Sequence, residues 1–218
     1  MMRIILLGPP GSGKGTYAKF ISEKYNLSNI CIGNILRNYI INNNSILSNK
    51  IKKFINRGLM IPDNIIIEII KKKILSSNCK KGFLLDGYPR NIIQANILQK
   101  ENINIDKVIE LYIPESKIIE RIIGRRIHES SGRTYHIIFN PPRIPGKDDI
   151  TGENLIMRTD DNKKTIINRL KEYIKKTKPL INYYINKSLS KKFFYIKIDN
   201  TDCILNVQNR INLFLQKK

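Results

Sequence analysis

The chain has 218 residues, of which 41% are hydrophobic, so it can bury the core of one α/β domain or of one domain with insertions. Lysine and arginine outnumber aspartate and glutamate by 39 to 18, and the formal net charge is +21 at pH 7. No apolar run is long enough to span a membrane, no signal sequence precedes the first predicted strand, and the three cysteines lie far apart, so we expect a reduced cytoplasmic protein.

A strand, a glycine-rich loop and a helix follow one another at the start of the chain. The unbroken apolar run 4–7 is typical of a strand buried on both faces, and residues 8–16 follow it with the sequence GPPGSGKGT. The glycines let successive backbone N–H groups surround an anion, and a helix that begins near Gly13 adds its positive dipole end. Lys14 can then reach the outer phosphates of a nucleotide, and the Thr16 hydroxyl can meet a magnesium ion. This stretch is therefore predicted to be a phosphate-binding loop.

Helices are predicted over the next part of the chain. Apolar spacing indicates a short helix that contains Ile35, Leu36 and Tyr39, with Arg37 on its open side. The asparagine-rich residues 42–44 are expected to form a loop or to interrupt a helix. The two helices predicted after this loop are 46–57, which ends at Gly58, and 65–75, which follows Pro62-Asp63.

A second buried strand is predicted at 83–85, and it leads directly into Asp86. An acidic residue at the carboxyl end of a strand, in a chain with a phosphate loop, is where a magnesium-organising carboxylate is expected. Capping of the following helix is an alternative role for this carboxylate, and the two roles are compatible. Pro89 fixes the backbone just before Arg90, which suits a guanidinium held in one orientation.

A third strand is predicted at 108–113, followed by an apolar helix face over 118–123. Arg121 and Arg125 are four residues apart in this region. Two arginines repel at that spacing on a helix, so an anionic partner is favoured over a solvated face.

Residues 126–159 differ in composition from the rest, with several Pro and Gly turns around an alternating run at 133–139. This pattern predicts a small β insertion outside the main sheet. Two pairs of polar residues have the ligand spacing of a structural zinc site: His128 with Ser131, and Asp148 with Thr151. Serine and threonine are poor zinc ligands, so a hydrogen-bonded set in place of a metal is the better interpretation, with zinc as the minor alternative.

The rest of the chain alternates again between helix and strand. A helical pattern covers 166–189, and Pro179 is expected to bend or break it. A last strand is predicted at 193–199 and a closing helix at 207–215.

A phosphate loop together with an aspartate at a strand end indicates a nucleoside triphosphate and magnesium. Six arginines are candidate phosphate clamps: Arg37, Arg90, Arg121, Arg125, Arg158 and Arg169. One triphosphate needs fewer, so a second phosphorylated substrate is implied. Phosphoryl transfer depends mainly on positioning and charge neutralisation, and no Cys, Ser or His nucleophile is required.

The chain resembles adenylate kinases of the long bacterial type over essentially its whole length. Five motifs in the expected order carry the resemblance: residues 8–16, 83–90, 124–126, 132–136 and 158–161. The resemblance implies an α/β P-loop fold of three layers, in which helices flank a central parallel β-sheet. It also implies a single kinase domain, 1–218, with two insertions: a helical AMP-binding arm at 31–61 (the arm segment) and a small β lid at 124–161 (the lid segment).

The family reaction, ATP + AMP ⇌ 2 ADP with magnesium, is the activity that the resemblance implies. Matched by position, the catalytic residues would be Lys14, Arg90, Arg125, Arg158 and Arg169. The ATP-binding residues would be Gly11, Ser12, Gly13, Lys14, Gly15, Thr16, Arg121, Arg125, Tyr135 and His136. The AMP-binding residues would be Ile32, Arg37, Gly87, Arg90, Gln94, Arg158 and Arg169. Magnesium would be held through water near Thr16 and Asp86.

The resemblance also bears on the lid and on the phosphate loop. The set His128, Ser131, Asp148 and Thr151 is similar to lids that use hydrogen bonds instead of zinc, and Asp160-Asp161 matches an acidic pair at the lid hinge. The loop variant in which a glycine separates the lysine from the threonine is that of monophosphate kinases. The chain departs from the family in the arm segment, where Ile32-Gly33-Asn34 replaces the usual Thr-Gly-Asp.

The partners implied are the small molecules ATP, AMP and ADP, bound by a monomer, with neither nucleic acid nor membrane. Two other functions stay open at this point. The first is another nucleoside monophosphate kinase, which a screen of acceptors distinguishes. The second is a nucleic-acid-binding protein, supported only by the charge of +21, which predicts tight binding with a steep salt dependence and no turnover.

Overall fold

A five-stranded parallel sheet forms the centre of the computed structural model, which describes residues 1–190 and 193–217. The strands, in chain order, are β1 (Met2–Leu7), β2 (Ser28–Cys31), β3 (Gly82–Asp86), β4 (Lys107–Tyr112), β5 (Arg125–Ile127), β6 (Thr134–His136) and β7 (Phe194–Asp199). The order across the sheet is β2-β3-β1-β4-β7, and β5 and β6 form a separate antiparallel pair. Of the predicted domain 1–218, Lys191, Lys192 and Lys218 lie outside the described residues.

Helices connect the strands. They are α1 (Lys14–Tyr25), α2 (Ile32–Asn42), α3 (Ile46–Arg57), α4 (Asp63–Ile74), α5 (Ile92–Lys100), α6 (Glu115–Ile123), α7 (Lys163–Glu172), α8 (Pro179–Ser188) and α9 (Ile204–Gln216). A π-helical turn, Tyr173–Thr177, joins α7 to α8, so Pro179 starts a new helix and the predicted break is confirmed. None of the helices in the described part of the chain is long and apolar enough to cross a membrane.

The sheet is covered on both faces because its strands are apolar on both faces. Alternate residues of β1 point to opposite sides, with Ile5 and Leu7 in one core and Ile4 and Leu6 in the other. Helices α2–α5 and α8 contribute side chains to the first core, and α1 and α9 contribute to the second. This arrangement confirms the predicted three-layer α/β fold with a central parallel sheet.

The two segments predicted as insertions have the following structure. The arm segment contains α2 and α3, separated by a loop at 43–45 that overlaps the one predicted at 42–44, and Gly58 caps the end of α3 as expected. The lid segment contains β5 and β6 and is closed by backbone hydrogen bonds between Ile127 and Ile156 in both directions. The strand predicted at 133–139 is wrong beyond His136, because the His136 side chain accepts hydrogen bonds from the backbone N–H groups of Ile138 and Phe139 and so stabilises a turn.

Candidate active site

The phosphate-binding loop joins β1 to α1 at the carboxyl edge of the sheet. Gly13 adopts a left-handed conformation with φ 74°, and α1 begins at the next residue, Lys14. A Cβ at Gly8 would lie 2.6 Å from the carbonyl oxygen of Leu111, so only glycine fits this close approach to β4. The Lys14 ammonium donates to the carbonyl oxygens of Gly8 and Pro9 at 2.7 and 2.8 Å, and burial lowers the pKa of Lys14 to about 8.

Asp86 is the last residue of β3, which places its carboxylate at the same edge of the sheet. It pairs in register with Leu6 of β1 on one side and with Cys31 of β2 on the other, so β3 brings it next to the start of the phosphate loop. Its alternative role as a helix cap is wrong, because Asn91 caps α5 by accepting a hydrogen bond from the Gln94 backbone N–H at 2.8 Å.

The cationic side chains that line the cleft include Lys14, Arg37, Arg90, Arg125, Arg158 and Arg169. Three buried carboxylates accompany them, namely those of Asp86, Asp160 and Asp161. Burial and neighbouring cations lower the pKa of Arg158 and of Arg169 to about 9. Five of these six cations are only partly exposed, and together they exceed the neighbouring carboxylates, so the cleft suits a polyanion that compensates their charge.

Asp160 and Asp161 pair with three of these arginines but leave Arg158 incompletely paired. Asp161 pairs with Arg125, whose Nε donates to Oδ2 at 2.8 Å, and Asp160 pairs with Arg169. Arg37 lies 3.9 Å from Asp160. Among the residues that the structure describes, the buried Nε of Arg158 has no hydrogen-bond partner. A phosphate oxygen is the kind of acceptor that this guanidinium lacks.

Arg121 is held by a different set of contacts. Helix α6 ends at Ile123 and Arg125 begins β5, so the expectation that Arg121 and Arg125 repel each other along one helix is wrong. The Arg121 guanidinium donates from Nη2 to the carbonyl oxygen of Asn200 at 2.7 Å and lies 5.2 Å from the centre of the Phe139 ring. It therefore lies between the end of the sheet and the lid segment.

A hydrogen-bonded network in the lid segment brings the four zinc-spaced residues together. His128 and Ser131 are joined at 2.7 Å, and the Thr151 hydroxyl donates to Asp148 at 3.0 Å. Arg133 was not predicted to belong to this set, yet it donates to Asp148 from Nε at 2.8 Å and holds the pKa of that carboxyl well below its usual range. In the described residues no group of three or more His, Cys, Asp or Glu is arranged to hold a metal, and the absence of zinc stays a prediction.

The two segments also approach each other closely. A Cβ on Gly132 of the lid segment would lie 3.4 Å from the Asn34 amide nitrogen of the arm segment. The cleft between them has a volume of about 1360 Å³. All the predicted nucleotide and magnesium residues line it, whereas His128, Asp148 and Thr151 do not.

Comparison with known proteins decides the family. A profile described as adenylate kinase matches residues 6–189. The chain belongs to the adenylate kinase family. An adenylate kinase of Francisella philomiragia subsp. philomiragia is 49% identical over 212 residues, which are 96% of this chain and 98% of that protein. An adenylate kinase of Baumannia cicadellinicola subsp. Homalodisca coagulata is 50% identical over 188 residues, which are 86% of this chain and 88% of that protein.

Membership of the adenylate kinase family confirms the predicted class of enzyme, a kinase that acts on nucleoside monophosphates. We call the part of the cleft that residues 8–16 and Arg121 line the loop side, and the part that the arm segment, Arg90 and Gln94 line the arm side. The assignment of single residues to ATP, AMP or the reaction stays a prediction, argued below from their contacts.

The arm side contains the departures from the usual adenylate kinase sequence. Ile32, the first residue of α2, is buried in the core and has no polar side-chain group to offer a ligand. Asn34 accepts a hydrogen bond from Arg37 Nη2 at 3.0 Å and so helps to orient that guanidinium without a carboxylate charge. Gln94 is also buried, and its Oε1 accepts from the Arg90 backbone N–H at 2.7 Å.

Two residues near the nucleotide sites were not predicted. Asp63 accepts hydrogen bonds from Gln94 Nε2 at 2.6 Å and from Asn91 Nδ2 at 3.0 Å, although its only sequence signal is that of a helix start. Asn200 lines the loop side of the cleft, directly after the predicted last strand. In both cases the partners are distant in sequence or on other elements, so no spacing pattern identifies them.

Proposed function

We propose that this chain catalyses the reversible reaction ATP + AMP ⇌ 2 ADP in the cleft between its phosphate loop and its arm segment. The observation that carries the proposal is a cleft lined by Lys14, the five arginines named with it and Asp86, in a chain of the adenylate kinase family. A triphosphate and a monophosphate together supply the negative charge that this cleft lacks.

The loop side is assigned to ATP. The loop N–H groups at residues 11–16 and Lys14 would bind the outer phosphates, while Arg121 and the turn after His136 would bind the adenosine end. Arg125, Arg158 and Arg169 line the cleft together and would stabilise charge on the phosphoryl group in transit.

The arm side is assigned to AMP. Arg90 donates from Nε to the Gly87 carbonyl oxygen at 2.8 Å, which fixes its planar group and leaves other N–H groups for a phosphate. Arg37 would share that phosphate, and Gln94, already oriented by Asp63, would hydrogen-bond the base.

Magnesium fits the residues at the loop side, because the Thr16 hydroxyl and the Asp86 carboxylate both line the cleft and both offer the oxygen donors that this ion prefers. When bound with ATP, the ion would neutralise phosphate charge. Thr16 and Asp86 would hold it through water, without any ligand from histidine or cysteine.

Closure of the two segments over the cleft would exclude water and so prevent wasteful hydrolysis of ATP. The close approach of Gly132 in the lid segment to Asn34 in the arm segment supports this role. The protein is further proposed to act as a cytoplasmic monomer; light scattering on the purified protein tests the monomeric state.

A coupled assay across four acceptors tests the substrate assignment. With ATP and magnesium, we expect ADP formation with AMP and far less with GMP, CMP or UMP. Rapid turnover of another acceptor in place of AMP would identify a different monophosphate kinase. Tight, salt-sensitive RNA or DNA binding without any turnover would instead support the nucleic-acid-binding alternative.

A further inference from the structure

A buried hydrogen-bonded junction lies behind the phosphate loop, at the carboxyl end of β7. Asn200 is 1% exposed, and both ends of its side-chain amide form hydrogen bonds. Its Nδ2 donates to the carbonyl oxygen of Ser12 in the loop at 2.8 Å, and its Oδ1 accepts from the Tyr17 hydroxyl of α1 at 2.5 Å. One asparagine thus connects the loop and the helix that follows it to the edge of the sheet.

The same residue also holds Arg121. The carbonyl oxygen of Asn200 accepts the hydrogen bond from Arg121 Nη2 at 2.7 Å, and within the described residues the buried Nε of Arg121 has no partner. The backbone N–H of Asn200 is itself fixed by the Tyr112 carbonyl oxygen at 2.9 Å. Asn200 is therefore hydrogen-bonded both to the phosphate end and to the adenosine end of the assigned ATP site.

We propose that Asn200 is a positioning residue for ATP, which sets the distance between the phosphate loop and Arg121 with the help of Tyr17. This inference rests on the proposed assignment of the loop side to ATP. The role requires an amide, because the side chain must donate to one neighbour and accept from the other. Aspartate in its place would keep the acceptor for Tyr17, but it would put a second acceptor oxygen against the Ser12 carbonyl oxygen.

Two substitutions test the role. Asn200→Asp removes the donor, and Tyr17→Phe removes only the phenol O–H and keeps the packed ring. We expect the KM for ATP to rise about tenfold for Asn200→Asp and roughly threefold for Tyr17→Phe, since buried hydrogen bonds are lost on the ATP side. The KM for AMP should stay the same in both variants.

The chain offers a matched control for the tyrosine. Tyr25, on the same helix, donates to Asn212 Oδ1 of α9 at 2.7 Å, and neither residue lines the cleft. Tyr25→Phe removes the same kind of bond between a helix and its neighbour, so it should leave the KM values for ATP and AMP unchanged.

Direct calorimetry of ATP and AMP binding separates this inference from the proposed reaction. If the wild-type protein binds ATP but makes no ADP, the reaction is wrong, while the effect of Asn200→Asp on ATP binding still decides the inference. Equal losses for both nucleotides, an unchanged ATP affinity, or the same loss in Tyr25→Phe would overturn it. If Asn200→Asp does not fold, Tyr17→Phe alone decides between these results.

Discussion

The Nε of Arg158 is buried but has no acceptor within the described residues. This arrangement gives a prediction for both activity and stability. We expect Arg158→Ala to lower kcat by about 10³, because a well-placed arginine is worth that much in phosphoryl transfer. The free energy of unfolding should stay the same or rise, since a poorly compensated buried charge is removed.

Arg125→Ala is the matched comparison for Arg158→Ala. Arg125 pairs with the buried Asp161, so its removal should lower both kcat and the thermal unfolding temperature. Steady-state kinetics measure kcat, and thermal unfolding measures the stability, of both variants. A large loss of stability in Arg158→Ala would show that its guanidinium is satisfied within the protein.

Lys14 gives a prediction about pH. Burial lowers its pKa to about 8 in the protein without nucleotide, whereas contact with phosphates favours the charged ammonium. ATP affinity should therefore be highest below pH 8 and fall as the pH rises above it, because binding must then take up a proton. Calorimetry at pH 9 in two buffers of different ionisation enthalpy should detect uptake of about one proton per ATP. Equal heats in the two buffers would contradict the prediction.

Asp63 is predicted to control AMP recognition through Gln94. In Asp63→Asn, one acceptor oxygen becomes an amide that opposes the Gln94 and Asn91 donors. The KM for AMP should rise about tenfold, the cost of one buried hydrogen bond, while the KM for ATP stays unchanged. Kinetics with each nucleotide varied in turn measure both values, and a parallel rise in both would point to a general loss of structure.

At the scale of elements, the turn after β6 depends on the protonation of His136. Its Nδ1 accepts hydrogen bonds from Ile138 and Phe139 at 3.0 and 3.1 Å, which only a neutral ring can do. Burial lowers the pKa of His136 below its ordinary value of 6.5. The turn should be fully stable above pH 6.5 and weaken as the pH falls below it, because an opened turn binds the proton more readily.

The pH profile of the KM for ATP measures this effect. We expect the KM to rise as the pH falls below 6.5, since the turn positions Phe139 over Arg121. His136→Asn keeps an acceptor in a similar place but does not titrate, so its profile should be flatter in that range. Identical profiles for the two proteins would exclude the turn as the source of the pH dependence.

The sequence predicts most elements because their apolar periodicity is strong, and it fails where the pattern is short or partly exposed. Strand β2 has only four residues at the edge of the sheet, and one of them is an exposed asparagine. Helix α5 begins with two isoleucines that are 41% and 62% exposed, which obscures its buried face. The phosphate loop, Asp86 and the arginines of the cleft could be named from motifs. Asp63 and Asn200 could not, because tertiary contacts alone give them their roles.

At the scale of the whole molecule, the net charge of +21 should act on the rate of nucleotide binding. Surface charges attract a polyphosphate over distances of about 10 Å or more at low salt, and salt screens that attraction. We expect kcat/KM for ATP to fall as the salt concentration rises from about 0.02 M to about 0.3 M, with kcat nearly constant. An unchanged kcat/KM over that range would mean that the excess lysines have no part in substrate capture.

The contact between the arm and lid segments has a thermodynamic consequence. Gly132 approaches Asn34, and Arg37 of the arm segment lies 3.9 Å from Asp160 at the base of the lid segment, so we expect the position of each segment to affect the other. A nucleotide that holds one segment closed therefore makes closure of the other more favourable. AMP and ATP should then bind with positive cooperativity, and reciprocity requires each to tighten the other by the same factor. The ternary complex, rather than either binary one, becomes the dominant closed species.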